Sequence, residues 1–100
     1  MTGARMNCTS VELTRHAHER MRERRIAPRA VHRIVRTGEV IKEYPADDPL
    51  PCYIVFGHAG QRPIHVLVAM DPESKRCLVV TVYEPDPALW EADLKTRKPP

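Results

Sequence analysis

The sequence predicts an α+β domain in which two N-terminal helices pack on a four-stranded antiparallel sheet. Three observations predict it. Residues 13–38 carry apolar side chains at helical spacing, with start and stop residues where a helix pair needs them. Four runs between Val40 and Tyr83 are rich in β-branched and aromatic residues and are separated by turn chemistry. The links between those runs are too short for parallel crossovers, so neighbouring strands are expected to be antiparallel.

Met1 to Ser10 shows no periodicity and reads as a flexible tail ahead of a single domain over residues 11–97. Thr14 is a good N-cap for a first helix running to about Arg25, with Leu13, Ala17 and Met21 along one stripe. After a break at Ile26-Ala27, Pro28 suits the first turn of a second helix. Val31, Ile34 and Val35 give it a core face, and Gly38 is a natural stop. The strands follow as Val40–Tyr44, Cys52–Phe56, Ile64–Met70 and Arg76–Tyr83. Between them, residues 45–51 carry three prolines and two aspartates, 57–63 form a turn, and Asp71-Pro72-Glu73-Ser74 is another. Ala88 to Arg97, with Leu89, Trp90 and Leu94, is a candidate short last helix. Ile64–Met70 and Leu78–Val82 are nearly continuous apolar runs, which implies cover on both sheet faces. The last segment, a second copy forming a homodimer, or another protein are the candidates to supply it.

The composition, 42% hydrophobic and 29% charged, is that of a water-exposed globular domain. No apolar run approaches the ~20 residues that span a bilayer, and the N-terminus lacks a signal-peptide stretch, so no membrane is expected and a cytoplasmic location is. Three cysteines, Cys8, Cys52 and Cys77, in no CxxC spacing, read as free thiols in a reducing compartment. The net charge of +3 conceals a polarity: Met1–Thr37 holds nine Arg, no Lys and three Glu, whereas the rest of the chain is net negative. Guanidinium groups engage phosphates or carboxylates in a planar two-pronged way, so an anionic partner is expected; a solvated basic face is the alternative.

The run Leu13-Thr14-Arg15-His16-Ala17-His18-Glu19-Arg20-Met21-Arg22-Glu23-Arg24-Arg25-Ile26 resembles the opening helix of domain-of-unknown-function family 4258. Gly38-Glu39-Val40-Ile41 with Glu43-Tyr44-Pro45, Pro63-Ile64-His65-Val66, and Thr81-Val82-Tyr83-Glu84-Pro85-Asp86-Pro87 with Trp90 carry the resemblance across about Val11 to Arg97. The family is similar to the RelE-, BrnT- and MqsR-type toxins. That similarity implies a RelE-like fold, cleavage of RNA without a metal or cofactor, on or off the ribosome, and neutralisation by a small antitoxin protein. A non-catalytic RNA- or protein-binding module of the same fold is the alternative it leaves open.

Against that expectation, the candidate catalytic residues are His65, Tyr83 and His16, and the candidate phosphate clamps are Arg20 and Arg24. His16, Arg20 and Arg24 recur at i, i+4 and i+8 beside the apolar stripe. Their alternative role is to lock helix to sheet by pairing with Glu39, Glu43 or Glu84. His65 lies on the opposite strand face from Ile64, Val66, Val68 and Met70. In the next strand Thr81 and Tyr83 share one face, and Leu78, Val80 and Val82 the other. If the two strands pair in the natural register, which sequence alone does not fix, His65 and Tyr83 lie on one surface, with His65 as general acid or base and Tyr83 as its partner or a stacking platform. The alternatives are a hydrogen-bonded core histidine and an aromatic cap on the sheet. His18, His32 and His58 read as solvated, Asp47, Asp48, Asp71 and Asp86 as turn residues, and Trp90 as a core anchor. No metal-ligand spacing is present.

Overall fold

The computed structural model describes residues 4–47 and 49–100; Met1–Gly3 and the turn reading of Asp48 fall outside them. The elements are β1 (Ser10–Leu13), α1 (Arg15–Arg24), α2 (Pro28–Thr37), β2 (Glu39–Tyr44), β3 (Cys52–Ala59), β4 (Arg62–Met70) and β5 (Arg76–Tyr83). They form a five-stranded sheet of order β1-β5-β4-β3-β2. β2 through β5 make the expected antiparallel meander, but β1 joins β5 in parallel, so the sheet is mixed. Leu13, expected at the head of the first helix stripe, is instead the last residue of this strand. Val11 and Leu13 pack against the core while Glu12 faces out and pairs with Arg76.

Thr14 links β1 to α1. Its Oγ1 accepts the Ala17 N–H at 3.1 Å, capping α1, and donates to the Val79 carbonyl of β5 at 2.8 Å. α1 ends at Arg25, which holds φ 55°. The Arg25 N–H reaches the Arg22 carbonyl, and the Ile26 N–H reaches that of Met21 at 2.9 Å. This is a Schellman motif, with buried Ile26 and Met21 making its apolar contact. α2 opens at Pro28 as expected, and buries Ala30, Val31, Ile34 and Val35. Gly38 does close α2, though at an ordinary φ of −76°. The reason for glycine is close approach: a Cβ there would lie 2.6 Å from both the Ile34 and Phe56 carbonyl oxygens.

Both helices cover one sheet face. Ala17, Met21, Val31, Ile34 and Val35 meet Val55, Ile64, Val66, Val68, Val79 and Val82 in one buried cluster. Val80 is an extra residue in β5, because Leu67 pairs with Thr81 while Val68 pairs with Val79. This bulge moves the buried set of β5 to Cys77, Val79 and Val82, and leaves Leu78 and Val80, expected inside, partly exposed.

Two expectations about the ends are corrected. Residues 4–9, read as a loose tail, run across the sheet. The Ala4 carbonyl accepts from Val40 of β2, Met6 is buried, and Cys8 forms a disulfide with Cys77 of β5; only Cys52 is a free thiol. Residues 85–98 form no helix. Asp86 and Asp93 carboxylates accept the N–H groups of Ala88, Lys95 and Thr96, which favours turns over helix. The result is a strap folded on itself by a Trp90–Arg97 bridge, lying on the sheet face away from the helices.

Candidate nucleic-acid interface

His65 and Tyr83 are direct cross-strand partners. Tyr83 OH lies 3.3 Å from His65 Nδ1, and His65 Nε2 lies 2.7 Å from the Leu94 carbonyl. A carbonyl only accepts, so Nε2 carries the proton and Nδ1 accepts from the tyrosine. The imidazole is fully buried, edge-on to Trp90 at 4.5 Å and Phe56 at 5.6 Å. Burial pushes its pKa below the ordinary histidine value, with the Leu94 carbonyl opposing in part. Burial likewise raises the Tyr83 phenol, helped by Tyr44 and opposed by Arg97. In this arrangement the histidine is a neutral anchor for the strap. Leu94 itself holds φ 60°, which aims its carbonyl at the ring. Lys95 ties the strap to Glu39 at 2.8 Å, and Arg97 lies over Trp90.

The arginine row of α1 does not join this pair. His65 alternates with Ile64 and Val66, which face the helices, so it points to the other side of the sheet. His16 is exposed, and Arg20 pairs with Glu23 at 2.7 Å on its own helix. Arg24 donates to the Val82 carbonyl, while Glu39 and Glu84 pair with Lys95 and Arg62. Arg24 therefore ties helix to sheet through a carbonyl and not through the carboxylates of the alternative reading. Among the described residues no three His, Cys, Asp or Glu side chains converge as a metal site would need.

The arginines that do converge are others. A groove of about 700 Å³ lies between the α1–α2 turn and the β3–β4 hairpin, lined by Arg25, Arg29, Arg33, Arg62 and small residues including Ala27, Ala30 and Gly60. No carboxylate lines it. Arg62 is fixed as a brace: it donates to the Arg24 and Arg25 carbonyls at 2.8 and 2.7 Å and pairs with Glu84 at 2.6 Å. Arg33 donates to the His58 carbonyl at 2.9 Å, joining α2 to the hairpin. Arg25 and Arg29 are exposed, and their guanidinium groups have no partner among the described residues. The hairpin turns tightly on Gly60 at φ 64°, a conformation open to glycine, and Gly60 lines the groove.

A family model for a domain of unknown function, DUF4258, matches residues 13–84. The chain belongs to that family. The matched DUF4258 segment holds all four groove arginines and the His65–Tyr83 pair, and ends just before the strap. No curated protein and no solved structure matches the chain. The all-arginine charge of the first third is legible in the sequence, and Arg29 and Arg33, four apart on α2, were as readable a pair as Arg20 and Arg24 on α1. Arg25, beyond the end of α1, and Arg62, far along the chain, carried no such spacing within a helix.

Proposed function

We propose that this DUF4258 protein is a toxin-like RNA-binding module that holds the sugar–phosphate backbone in the arginine groove. The observation that carries the reading is the convergence of Arg25, Arg29, Arg33 and Arg62 on one hollow that no carboxylate lines. Arg62 is balanced by Glu84, but Arg25 and Arg29 stand without a partner among the described residues, and like charges gathered without neutralisation are unfavourable unless an anion is to be bound there. The guanidinium fork matches phosphate oxygens, and the uncapped start of α2 at Ala27 adds a small positive potential on the same side. The choice of RNA among phosphate-bearing partners rests on the resemblance to RelE-type toxins. Fluorescence anisotropy with a labelled RNA 12-mer tests the reading. Replacing Arg29 by Ala and, separately, Arg33 by Ala should each weaken binding by about tenfold, the loss of one charge-assisted contact; unchanged affinity in both rejects it.

A second reading, metal-independent endoribonuclease held in check by an antitoxin, is favoured by one observation: the paired His65 and Tyr83. A histidine and a phenol side by side are suited to moving the 2′-OH and 5′-oxygen protons. Activity then requires the strap to leave the ring. Expression of a Trp90→Ala variant, which loosens the strap, should arrest growth with new RNA ends, and adding His65→Ala should abolish both. Intact RNA with Trp90→Ala leaves the binding module alone.

A further inference from the structure

On the other side of Pro28 a second hollow, of about 290 Å³, is lined by His18, Met21, Arg22, Ile26 and Pro28. Pro28 lines both hollows, so the two adjoin at the α1–α2 turn. Arg22 is exposed and its guanidinium has no partner among the described residues. Met21 and Ile26 make a buried, firm floor. Across both hollows stand five arginines and a histidine, with neither a carboxylate nor a Phe, Tyr or Trp.

We infer that the two hollows form one track for successive phosphates of a single RNA strand, bound without reading its bases. This rests on the RNA-binding reading above. Guanidinium groups on both sides of Pro28 match a chain of phosphates better than one isolated anion. Base recognition in single strands relies on broad aromatic stacking platforms, and the track has no Phe, Tyr or Trp, His18 being its one ring. A path bent over a helix–helix turn suits a flexible strand, which a stiff duplex cannot follow.

The test titrates the full chain with a labelled oligoadenylate 12-mer, with adenosine monophosphate, and with a 12-mer duplex. Arg22→Ala should weaken the 12-mer by about three- to tenfold and lower its log K against log salt slope by about 0.7, the share of one single-strand phosphate. It should leave monophosphate binding unchanged, whereas Arg29→Ala should weaken both ligands. Arg22→Lys should keep most of the slope, which separates lost charge from lost folding. Oligouridylate should bind within about twofold of oligoadenylate, since no Phe, Tyr or Trp is there to favour the stronger-stacking base. If Arg29→Ala weakens the 12-mer and Arg22→Ala does not, the second hollow is no part of the track while the RNA reading stands. If neither variant matters, both fall. Duplex binding as tight as the single strand, a base preference above about tenfold, or equal competition by polyglutamate overturns the inference, the last in favour of an acidic protein.

Discussion

Arg25 stands where most helices end in glycine. A left-handed conformation costs a residue with a Cβ about 1–2 kcal/mol, and the Schellman geometry after α1 demands it here. Arg25→Gly should therefore raise stability by about 1 kcal/mol, read as a higher melting temperature, while RNA affinity falls. Lower stability, or unchanged affinity, would remove Arg25 from the groove's function. His65 makes the converse case, a chemically capable side chain spent on structure. Because burial lowers its native pKa, the unfolded chain takes up this proton at a higher pH than the native protein. Its contribution is complete above the unfolded value of ~6.5 and is lost as pH falls through the native one. The melting temperature should thus drop from about pH 7 to about pH 5, and His65→Gln should flatten that drop. A wild-type curve with no such drop would show the ring is not buried neutral.

At the scale of elements, the helix pair and the four-stranded meander were legible because each rests on local chemistry: a Thr cap, a Pro start, apolar spacing, and turns at prolines, glycines and aspartates. β1 was not. Four residues, Ser10–Leu13, carry too short an alternation to announce a strand, and their parallel partners in β5 lie 66 residues further along the chain. The Val80 bulge was hidden for a related reason, since pairing register is a property of two strands and not of one. The strap shows local side-chain bonds from Asp86 and Asp93 defeating a helical apolar pattern. As for the site, the strands that carry His65 and Tyr83 were readable, but their register was not fixed by sequence alone, and the cover over them was not readable because it comes from a segment with no regular structure. Gly38 is where α2 and β2 depend on each other most closely. A methyl there collides with two carbonyl oxygens and with Val55, so Gly38→Ala should cost about 1–3 kcal/mol in chemical denaturation. A neutral result would mean the α2–β2 corner relaxes freely.

The molecule as a whole is a sheet braced at both ends of the chain. The strap closes one face. The opposite end is closed by residues 4–9, stitched by the Cys8–Cys77 disulfide across a sequence separation of 69. A crosslink closing so long a loop stabilises by up to about 4 kcal/mol through the unfolded state. Cys8→Ser should lower the melting temperature accordingly, and dithiothreitol should reproduce the shift in the wild type but add nothing in the variant. The helix-pair end carries the excess of arginine, and there the groove opens. The salt dependence of RNA binding measures that organisation most directly. For a 12-mer, log K should fall linearly with log salt, and Arg29→Ala with Arg33→Ala should reduce the slope by about 1.4, two single-strand phosphates. An unaltered slope in that double variant, with the fold intact, would contradict the assignment of the arginine groove to the phosphate backbone.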